Sequence, residues 1–550
     1  MMRSPLMPTV GAFLLLALAN LFTLAPTAFA ADIAVAEQSL HGEYSVMGAL
    51  HRTGGAGDRT LLHRGEFTTQ ELELDLEQPL PAEWSLTANA HGRITDDEQI
   101  DNYDGVHVLG WTTELYNPFL HFTGGNFFAD YSQYTAQQSL TGVQAALTTD
   151  RVESKGAFGY SQRDIEGVQY RRYVTAARSE VLITSRSGPL SDFRVGGNFS
   201  DVEDGEHTIE NKTGVLDASN RVGSVNAHLL LWDISDFAAE LAKSWNDDDT
   251  TPGSTVDRND GTALRVNNIT KFSKKDKLRL GYEWVTPDFN TLAGSATPDR
   301  VNFTSRYDHR WNTEWSANAG YRVFCDKLDK SSLAKRTVTQ SPRTELNWEP
   351  DSTNWLLKDN TWRIFWEERS RISQDDPVSG QTDFKTNDTG FENEFRVDKV
   401  HFSDGWSLSI EDDDQNKIND RVTNSAYFGM RMHDKLLGIN ATPSLKYQMD
   451  YADIPKSEGR DLTQTVSQAL RLDISDALKF DERLSLSNAS RLAPDADAFK
   501  CNAYLGIDYK LPVPQDLTFR ANYEFTGFAH EASTQRFAEH NFETKLILKF

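Results

Sequence analysis

The chain has few cysteines and, after its first residues, no long hydrophobic run. Only Cys325 and Cys501 occur among its 550 residues, so the fold does not depend on the disulfide framework of small secreted domains. A bridge between these two distant residues is neither required nor excluded by the sequence. A bundle of transmembrane helices needs repeated runs of about 20 apolar residues, and this chain has one such run, at its N-terminus. A bundle of transmembrane helices is therefore excluded.

Positive charge and catalytic motifs are also scarce. The formal net charge is −25, which argues against nucleic acid as a partner because nucleic-acid binding needs a basic surface. The chain has no P-loop, no G-x-S-x-G, no H-E-x-x-H and no C-x-x-C-H haem-attachment motif. We therefore expect no catalytic residues, no metal site and no bound cofactor, although a Ser–His pair that meets only in the folded chain stays open.

The single apolar run has the features of a secretory signal peptide. Arg3 supplies a positive charge, residues 10–24 are nearly all apolar, and Ala28, Phe29 and Ala30 match the A-x-A cleavage pattern. The alternative, an uncleaved helical anchor, is less consistent with a short apolar core followed directly by small residues. We predict that residues 1–30 are a signal peptide and that residues 31–550 form one exported domain of a bacterial envelope protein.

The last ten residues alternate between apolar and charged side chains. One parity carries Phe542, Leu546, Leu548 and Phe550, and the other carries Glu543, Lys545 and Lys549. Successive side chains of a strand point to opposite faces, so the segment predicts a strand with one apolar and one charged face. Such a strand would be an aggregation hazard at the edge of a soluble sheet. It suits a barrel that has lipid outside and water inside.

The same alternation recurs in many segments along the chain. The connections between these segments are short and long in turn. Clear runs cover residues 278–284, 301–307, 317–323, 503–511 and 519–525. Short connections are expected at residues 273–276, 309–312, 401–405, 475–476 and 512–516, and long ones include 246–262, 287–298 and 528–540. Glu482 departs from the pattern because it falls on the apolar parity of its strand, which suggests a shifted turn. We predict an all-β fold: a transmembrane antiparallel up-and-down β-barrel of about 22–26 strands, with short periplasmic turns and long extracellular loops.

The first alternating run begins near Glu43, shortly after the predicted cleavage site before Ala31. This spacing leaves no room for an N-terminal plug domain. It argues against a ligand-gated siderophore-type transporter, although such barrels have similar strand numbers.

The parity opposite the apolar one is predicted to face the lumen, and in the C-terminal half it carries charges of both signs. They include Arg265, Arg279, Arg306, Arg322, Arg363, Arg396, Arg431, Arg471, Arg520, Glu283, Glu345 and Glu367. One interpretation is an electrostatic guide for an ionic solute, because charged rings set pore selectivity. The other, favoured by the near balance of signs, is a network of cross-strand ion pairs that stiffens the wall.

An aromatic stretch at residues 124–143 is a candidate constriction. It groups Phe127, Phe128, Tyr131 and Tyr134 around Asp130. A segment of this kind is suited to fold inward and narrow the lumen. The alternative is a set of strand ends that bear girdle aromatics at the membrane interface.

The whole predicted mature chain resembles a large bacterial outer-membrane β-barrel, on the basis of its signal peptide, its loop asymmetry and the closing sequence F-E-T-K-L-I-L-K-F. The resemblance implies an integral outer-membrane location, with lipid, lipopolysaccharide and the barrel-assembly machinery as partners. It also implies that Phe542, Leu546, Leu548 and Phe550 form the assembly signal.

Two functions follow as hypotheses. The first is a porin-like channel for small, ionic solutes. The second is a structural sleeve for a multihaem cytochrome, because plug-less barrels of this size resemble the sleeves of porin–cytochrome electron conduits. The chain lacks the paired N-terminal cysteines of one branch of those families. A barrel-embedded enzyme is a distant third hypothesis.

Overall fold

The computed structural model describes residues 39–55, 64–98, 100, 105–165, 168–184, 189–205, 218–248, 250, 258–326, 328, 336–350, 358–373, 383–414, 420–455, 459–492, 495–530 and 535–550. The predicted signal peptide lies outside the described residues. Within them, no helix is long and apolar enough to cross a membrane.

The described residues fold into strands that pair antiparallel, each with its neighbour in sequence. The strands are β1 Ser39–Gly55, β2 Gly65–Pro79, β3 Ser85–Thr95, β4 His107–Tyr116, β5 Leu120–Ser132, β6 Ala136–Thr148, β7 Val152–Ile165, β8 Val168–Thr184, β9 Leu190–Asp204, β10 Ser219–Leu231, β11 Ser235–Asp247, β12 Asn259–Lys271, β13 Asp276–Val285, β14 Arg300–Arg310, β15 Trp315–Asp326, β16 Thr337–Trp348, β17 Lys358–Ser373, β18 Asp383–Val397, β19 Val400–Asp413, β20 Arg421–Met432, β21 Asp434–Leu436, β22 Ile439–Ile454, β23 Gly459–Asp473, β24 Leu478–Leu492, β25 Asp495–Lys510, β26 Asp516–His530 and β27 Phe537–Lys549.

The sheet closes on itself because β1 also pairs with β27, from Glu43 opposite Lys549 to Gly55 opposite Phe537. Both β20 and β21 pair with β22 and together occupy one strand position. The described strands therefore form a closed barrel of 26 strands. This number lies at the upper end of the predicted range. The prediction of an antiparallel up-and-down barrel is confirmed.

The alternation of side chains explains why these segments form strands. On the outer face, large apolar side chains remain exposed around the wall, for example Val225 (61% exposed), Phe158 (55%) and Leu241 (49%). Their sequence neighbours point inward. In a barrel surrounded by lipid, the outer side chains need no protein partner, so closure satisfies the backbone while the apolar face meets the bilayer.

The connections at the two ends of the barrel differ in length, as predicted, with local exceptions. The end that holds both chain ends of the wall has the short turns at residues 272–275, 311–314, 474–477 and 511–515. The opposite end has the long connections 248–258, 286–299 and 531–536. At the long-loop end the exceptions are the short connections β5–β6, β7–β8, β22–β23 and β24–β25, of two to four residues each, and at the other end the exception is the nine-residue connection 349–357.

Two details of the predicted register were wrong. The short connection expected at residues 401–405 lies within β19, and the actual turn is Asp398–Lys399, with Asp398 at a φ of 52°. The shift suggested at Glu482 does not occur. Glu482 stays on the outer face of β24, opposite Leu470 of β23 and Leu505 of β25.

Candidate functional site

The inner face of the barrel is identified by a contact that crosses the interior. Gln133, in the turn between β5 and β6, accepts a hydrogen bond from Arg265 Nη1 at 2.6 Å and donates one to Glu283 Oε1 at 2.6 Å. Arg265 and Glu283 belong to β12 and β13, seven strands further along the wall, and are opposite each other in the register. Strands so far apart meet only through the interior, so the face that bears Arg265 and Glu283 is the lumen face.

The register carries this lumen face around the wall. All of the charged residues predicted to face the lumen lie on it: Arg265, Arg279, Arg306, Arg322, Arg363, Arg396, Arg431, Arg471, Arg520, Glu283, Glu345 and Glu367.

Many of these charges form the ion pairs expected of a pairing network. Arg363 bridges Glu345 at 3.1 Å and Glu392 at 2.9 Å. Arg520 donates to both carboxylate oxygens of Asp508, at 2.7 and 3.3 Å. Charges of opposite sign on neighbouring strands stabilise the wall from inside. The pairing is incomplete, because Arg265 and Arg322 make no ion pair among the described residues.

The structure divides the predicted aromatic constriction between the two faces. Phe127 and Tyr131 point inward from β5, and Tyr134 at the β5–β6 turn is 0% exposed. Phe128 lies on the outer face and is 57% exposed. Asp130 is exposed beside a bulge in the β5–β6 pairing. Only the inward members of this set are placed to narrow the lumen.

A second segment, the connection 286–299 between β13 and β14, also folds into the barrel. We call it the inward loop, and we call residues 133–135 the inward turn. The ring of Phe289 in the inward loop meets the ring of Tyr134 edge-on, with centroids 5.6 Å apart. The amide of Ser295 donates to the carbonyl of Gln133 at 2.9 Å. The two segments therefore form one unit inside the lumen.

Two polar side chains of the wall hold the inward loop. Asn220 on β10 donates from its amide nitrogen to the carbonyl of Asn290 at 3.0 Å, and its amide oxygen accepts from the backbone of Leu292 at 3.2 Å. Ser244 on β11 accepts from the backbone amide of Asn290 at 3.1 Å. Asn220 and Ser244 are both fully buried. These bonds satisfy loop backbone groups that would otherwise be unpaired in a buried setting.

Much of the wall beneath the inward segments is built from small apolar side chains. Its buried members are Ala157, Val174, Ala176, Val202, Val222, Ala242, Ala263 and Val285. Gly261 lets the loop approach β12, because a Cβ at this position would lie 2.1 Å from the backbone nitrogen of Phe289. In the sequence, the run of small residues on the lumen parity of β7 to β13 is the signal that this part of the wall is covered by another segment. No prediction from the sequence was based on this signal.

Two carboxylates sit under the inward turn. Glu240 accepts hydrogen bonds from Ser132 and Ser224, both at 2.6 Å. Glu283 forms an ion pair with Arg300 at 3.0 Å and lies 3.4 Å from the hydroxyl of Tyr134. Burial, followed by the nearby Glu283 carboxylate, raises the pKa of Tyr134. The hydroxyl therefore stays protonated at neutral pH and donates to Glu283.

The wall of β19 to β26 is open in comparison. Its lumen face carries small residues in the middle of successive strands, including Gly429, Ser444, Ser467 and Ser485. These residues line a groove of about 850 Å³, and Arg431, Lys446, Arg483 and Glu524 lie around it. The lumen is thus covered on one side and grooved and polar on the other.

No metal centre is built by the described residues, among which no group of three or more His, Cys, Asp or Glu side chains is placed to hold an ion. Cys325 and Cys501 are both free thiols.

Comparison with known proteins gives distant likenesses to solved structures. No family model and no curated protein matches the chain. The crystal structure of OccK2 (OpdF) of Pseudomonas aeruginosa with glucuronate is 11% identical, with a TM-score of 0.34, and the match covers 62% of this chain and 95% of that one. OprD of P. aeruginosa is 12% identical with a TM-score of 0.32, covering 68% and 94%. The siderophore receptor PirA of P. aeruginosa is 10% identical with a TM-score of 0.40, covering 93% and 80%.

At these identities and TM-scores, none of these likenesses carries an argument about what this chain does. Its own geometry, a closed barrel with an apolar outer face and a polar lumen, is that of a large outer-membrane β-barrel.

Proposed function

We propose that the protein is an outer-membrane channel through which small, ionic solutes pass. The observation that carries the proposal is the charged and hydroxyl-bearing lumen face, which runs along an open groove of about 850 Å³. A wall of this kind keeps water and ions solvated inside a bilayer, and its charges bias which solutes enter. The proposal assigns no catalytic step to the chain.

The inward loop and the inward turn are the elements that set the size of the passage. A round barrel of this strand number measures roughly 50 Å across its backbone, for strands spaced about 4.8 Å apart and tilted about 40°. A bare lumen of that width would admit almost any solute. The inward segments cover the wall of β6 to β13, so passage is proposed to follow the opposite wall.

Conductance of the purified full chain in a planar bilayer tests the proposal. Stable openings from the protein alone support a channel. A correctly folded barrel that conducts no ions would overturn it.

The second candidate is a sleeve for a multihaem cytochrome. The part of the lumen that the inward segments leave unfilled supports this candidate, because a sleeve must hold another protein inside the barrel. It predicts that the barrel purifies from its native membrane with a red haem protein and loses stability without it. A barrel that is stable and conducting in isolation would leave the sleeve without support.

A further inference from the structure

A second cleft on the lumen face, of about 410 Å³, lies on β14 to β17, and its lining includes no residue of the inward segments. Four arginines, Arg306, Arg322, Arg343 and Arg369, line it, and Glu367 is the one carboxylate among its lining residues. All four arginines are exposed to the lumen. We call this the arginine cleft.

The carboxylates near the arginine cleft do not neutralise it. Arg322 makes no ion pair among the described residues, and its Nε donates to the amide oxygen of Asn302 at 3.1 Å. Arg343 comes no closer than 4.0 Å to a carboxylate oxygen of Glu345, which already binds Arg363 at 3.1 Å.

The remaining two arginines also have weak or shared partners. Arg369 lies 3.6 Å from Glu367. Arg306 pairs with Asp308 at 2.8 Å, but Asp308 also binds Arg279 at 2.5 Å. The cleft therefore keeps an excess of positive charge, unlike the wall around Arg520, where Asp508 is held by both of its oxygens.

The register brings the guanidinium groups together with hydroxyls. Gly320 lies between Arg306 on one side and Arg343 on the other, so no side chain separates these two arginines across β15. Arg322 stands between Thr304 and Ser341. A guanidinium fork beside hydroxyl donors matches the geometry of an oxyanion.

We propose that the arginine cleft is a binding site for the oxyanion group, carboxylate or phosphate, of small solutes in the lumen. This inference rests on the proposed channel function and gives it a solute class. The bound oxyanion supplies the negative charge that the wall lacks, and the open lumen on the same side lets the solute leave again.

The test compares two variants of the full chain that remove positive charge from the lumen. In R322Q/R343Q the arginine cleft loses both of its least neutralised cations. In the control, R520Q/R93Q, both lost cations are lumen cations held by a carboxylate away from the cleft, Arg520 by Asp508 and Arg93 by Glu71 at 2.9 Å, so the two double variants match in formal charge. Correct folding of each is checked by the heat-dependent shift of the barrel on a gel.

Chloride conductance in planar bilayers is measured while phosphate, or succinate in a second series, is added. For the wild-type chain we expect both oxyanions to reduce the chloride current. The same concentration of added chloride salt, without an oxyanion, should not reduce it. R322Q/R343Q should need about tenfold more oxyanion, since two charge-assisted hydrogen-bond partners are lost. R520Q/R93Q should behave nearly as the wild type does.

Equal shifts in the two double variants would show that only total lumen charge matters and would overturn the site. The absence of any oxyanion effect on the wild type would also overturn it. If the wild-type chain conducts nothing, the channel proposal fails instead. In that case, equilibrium dialysis of labelled phosphate and labelled succinate against the detergent-solubilised wild type and variants tests the site independently. No binding, or equal binding by all variants, would overturn the site.

Discussion

The ring of Phe550 lies directly over Gly42, where a Cβ would stand 2.5 Å from its Cζ atom. The backbones of these two residues exchange hydrogen bonds of 2.8 and 3.0 Å in the pairing that closes the barrel. The last residue of the chain is thus seated on the first strand, on the outer face. The same residue is the terminal aromatic that the resemblance to outer-membrane barrels implies as part of an assembly signal.

We predict that Phe550→Ala lowers the yield of assembled barrel while leaving the paired backbone intact. Loss of the ring over Gly42 removes a half-buried apolar contact, worth about 1–2 kcal/mol at the closing seam. The heat-dependent gel shift and the amount of protein in the outer-membrane fraction measure the effect. Phe428→Ala is the matched control, because Phe428 is 46% exposed on the outer face and Phe550 is 48% exposed. Equal losses in both variants would contradict a special role for the terminal residue.

The sequence predicted the wall of the barrel better than its contents. The faces of Phe542 to Phe550 followed from a strand period of two and from lipid outside, which are both local rules. The turn at Asp398–Lys399 was not predicted, because the mostly polar residues 401–405 have the composition of a turn although they lie within β19. From sequence alone, residues 287–298 are only a long loop, because their inward position depends on contacts with Asn220 and Ser244, which are far away in sequence.

Asn220→Ala is predicted to loosen the inward loop. The variant loses two hydrogen bonds that hold loop backbone groups, at a cost of about 1–3 kcal/mol. We expect larger or noisier single-channel conductance with a barrel that remains folded. The control is Asn522→Ala, which removes a lumen amide that binds the hydroxyl of Tyr504 and not the inward loop. Unchanged conductance in Asn220→Ala would mean that the loop does not limit the passage.

Gly261→Ala tests the same loop from the other side. The new methyl group would collide with the backbone at Phe289, which has no flexible atom to move aside, so the loop must lift from β12. Overpacking of this kind costs about 1–3 kcal/mol. We expect faster proteolysis of the inward loop and a higher conductance. Gly223→Ala, where the nearest side-chain atom of Trp245 is 3.8 Å away, should change neither quantity.

High pH is predicted to release the inward turn through Tyr134. The pKa of Tyr134 is raised in the folded chain, so its contribution to stability is complete below the ordinary tyrosine pKa of about 10 and is lost as the pH rises through the raised value. The tyrosinate formed there repels Glu283. Conductance should be unchanged up to about pH 10 and should rise in the wild type as the pH is raised further. Tyr134→Phe should lack this rise, and Tyr504→Phe, a lumen tyrosine away from the turn, should retain it.

Glu482 is a carboxylate on the outer face of the barrel, where lipid is expected. Among the described residues, Gln468 on β23 donates from its side-chain amide to Glu482 Oε2 at 3.5 Å. Because an acidic side chain on the lipid face destabilises a barrel, Glu482→Leu is predicted to stabilise the folded barrel by about 1–2 kcal/mol against urea in lipid vesicles. Glu524→Leu, which changes a carboxylate on the lumen face, should give no such gain. If Glu482→Leu instead weakens the barrel or its assembly, this carboxylate is covered by a polar partner in the membrane and not by lipid.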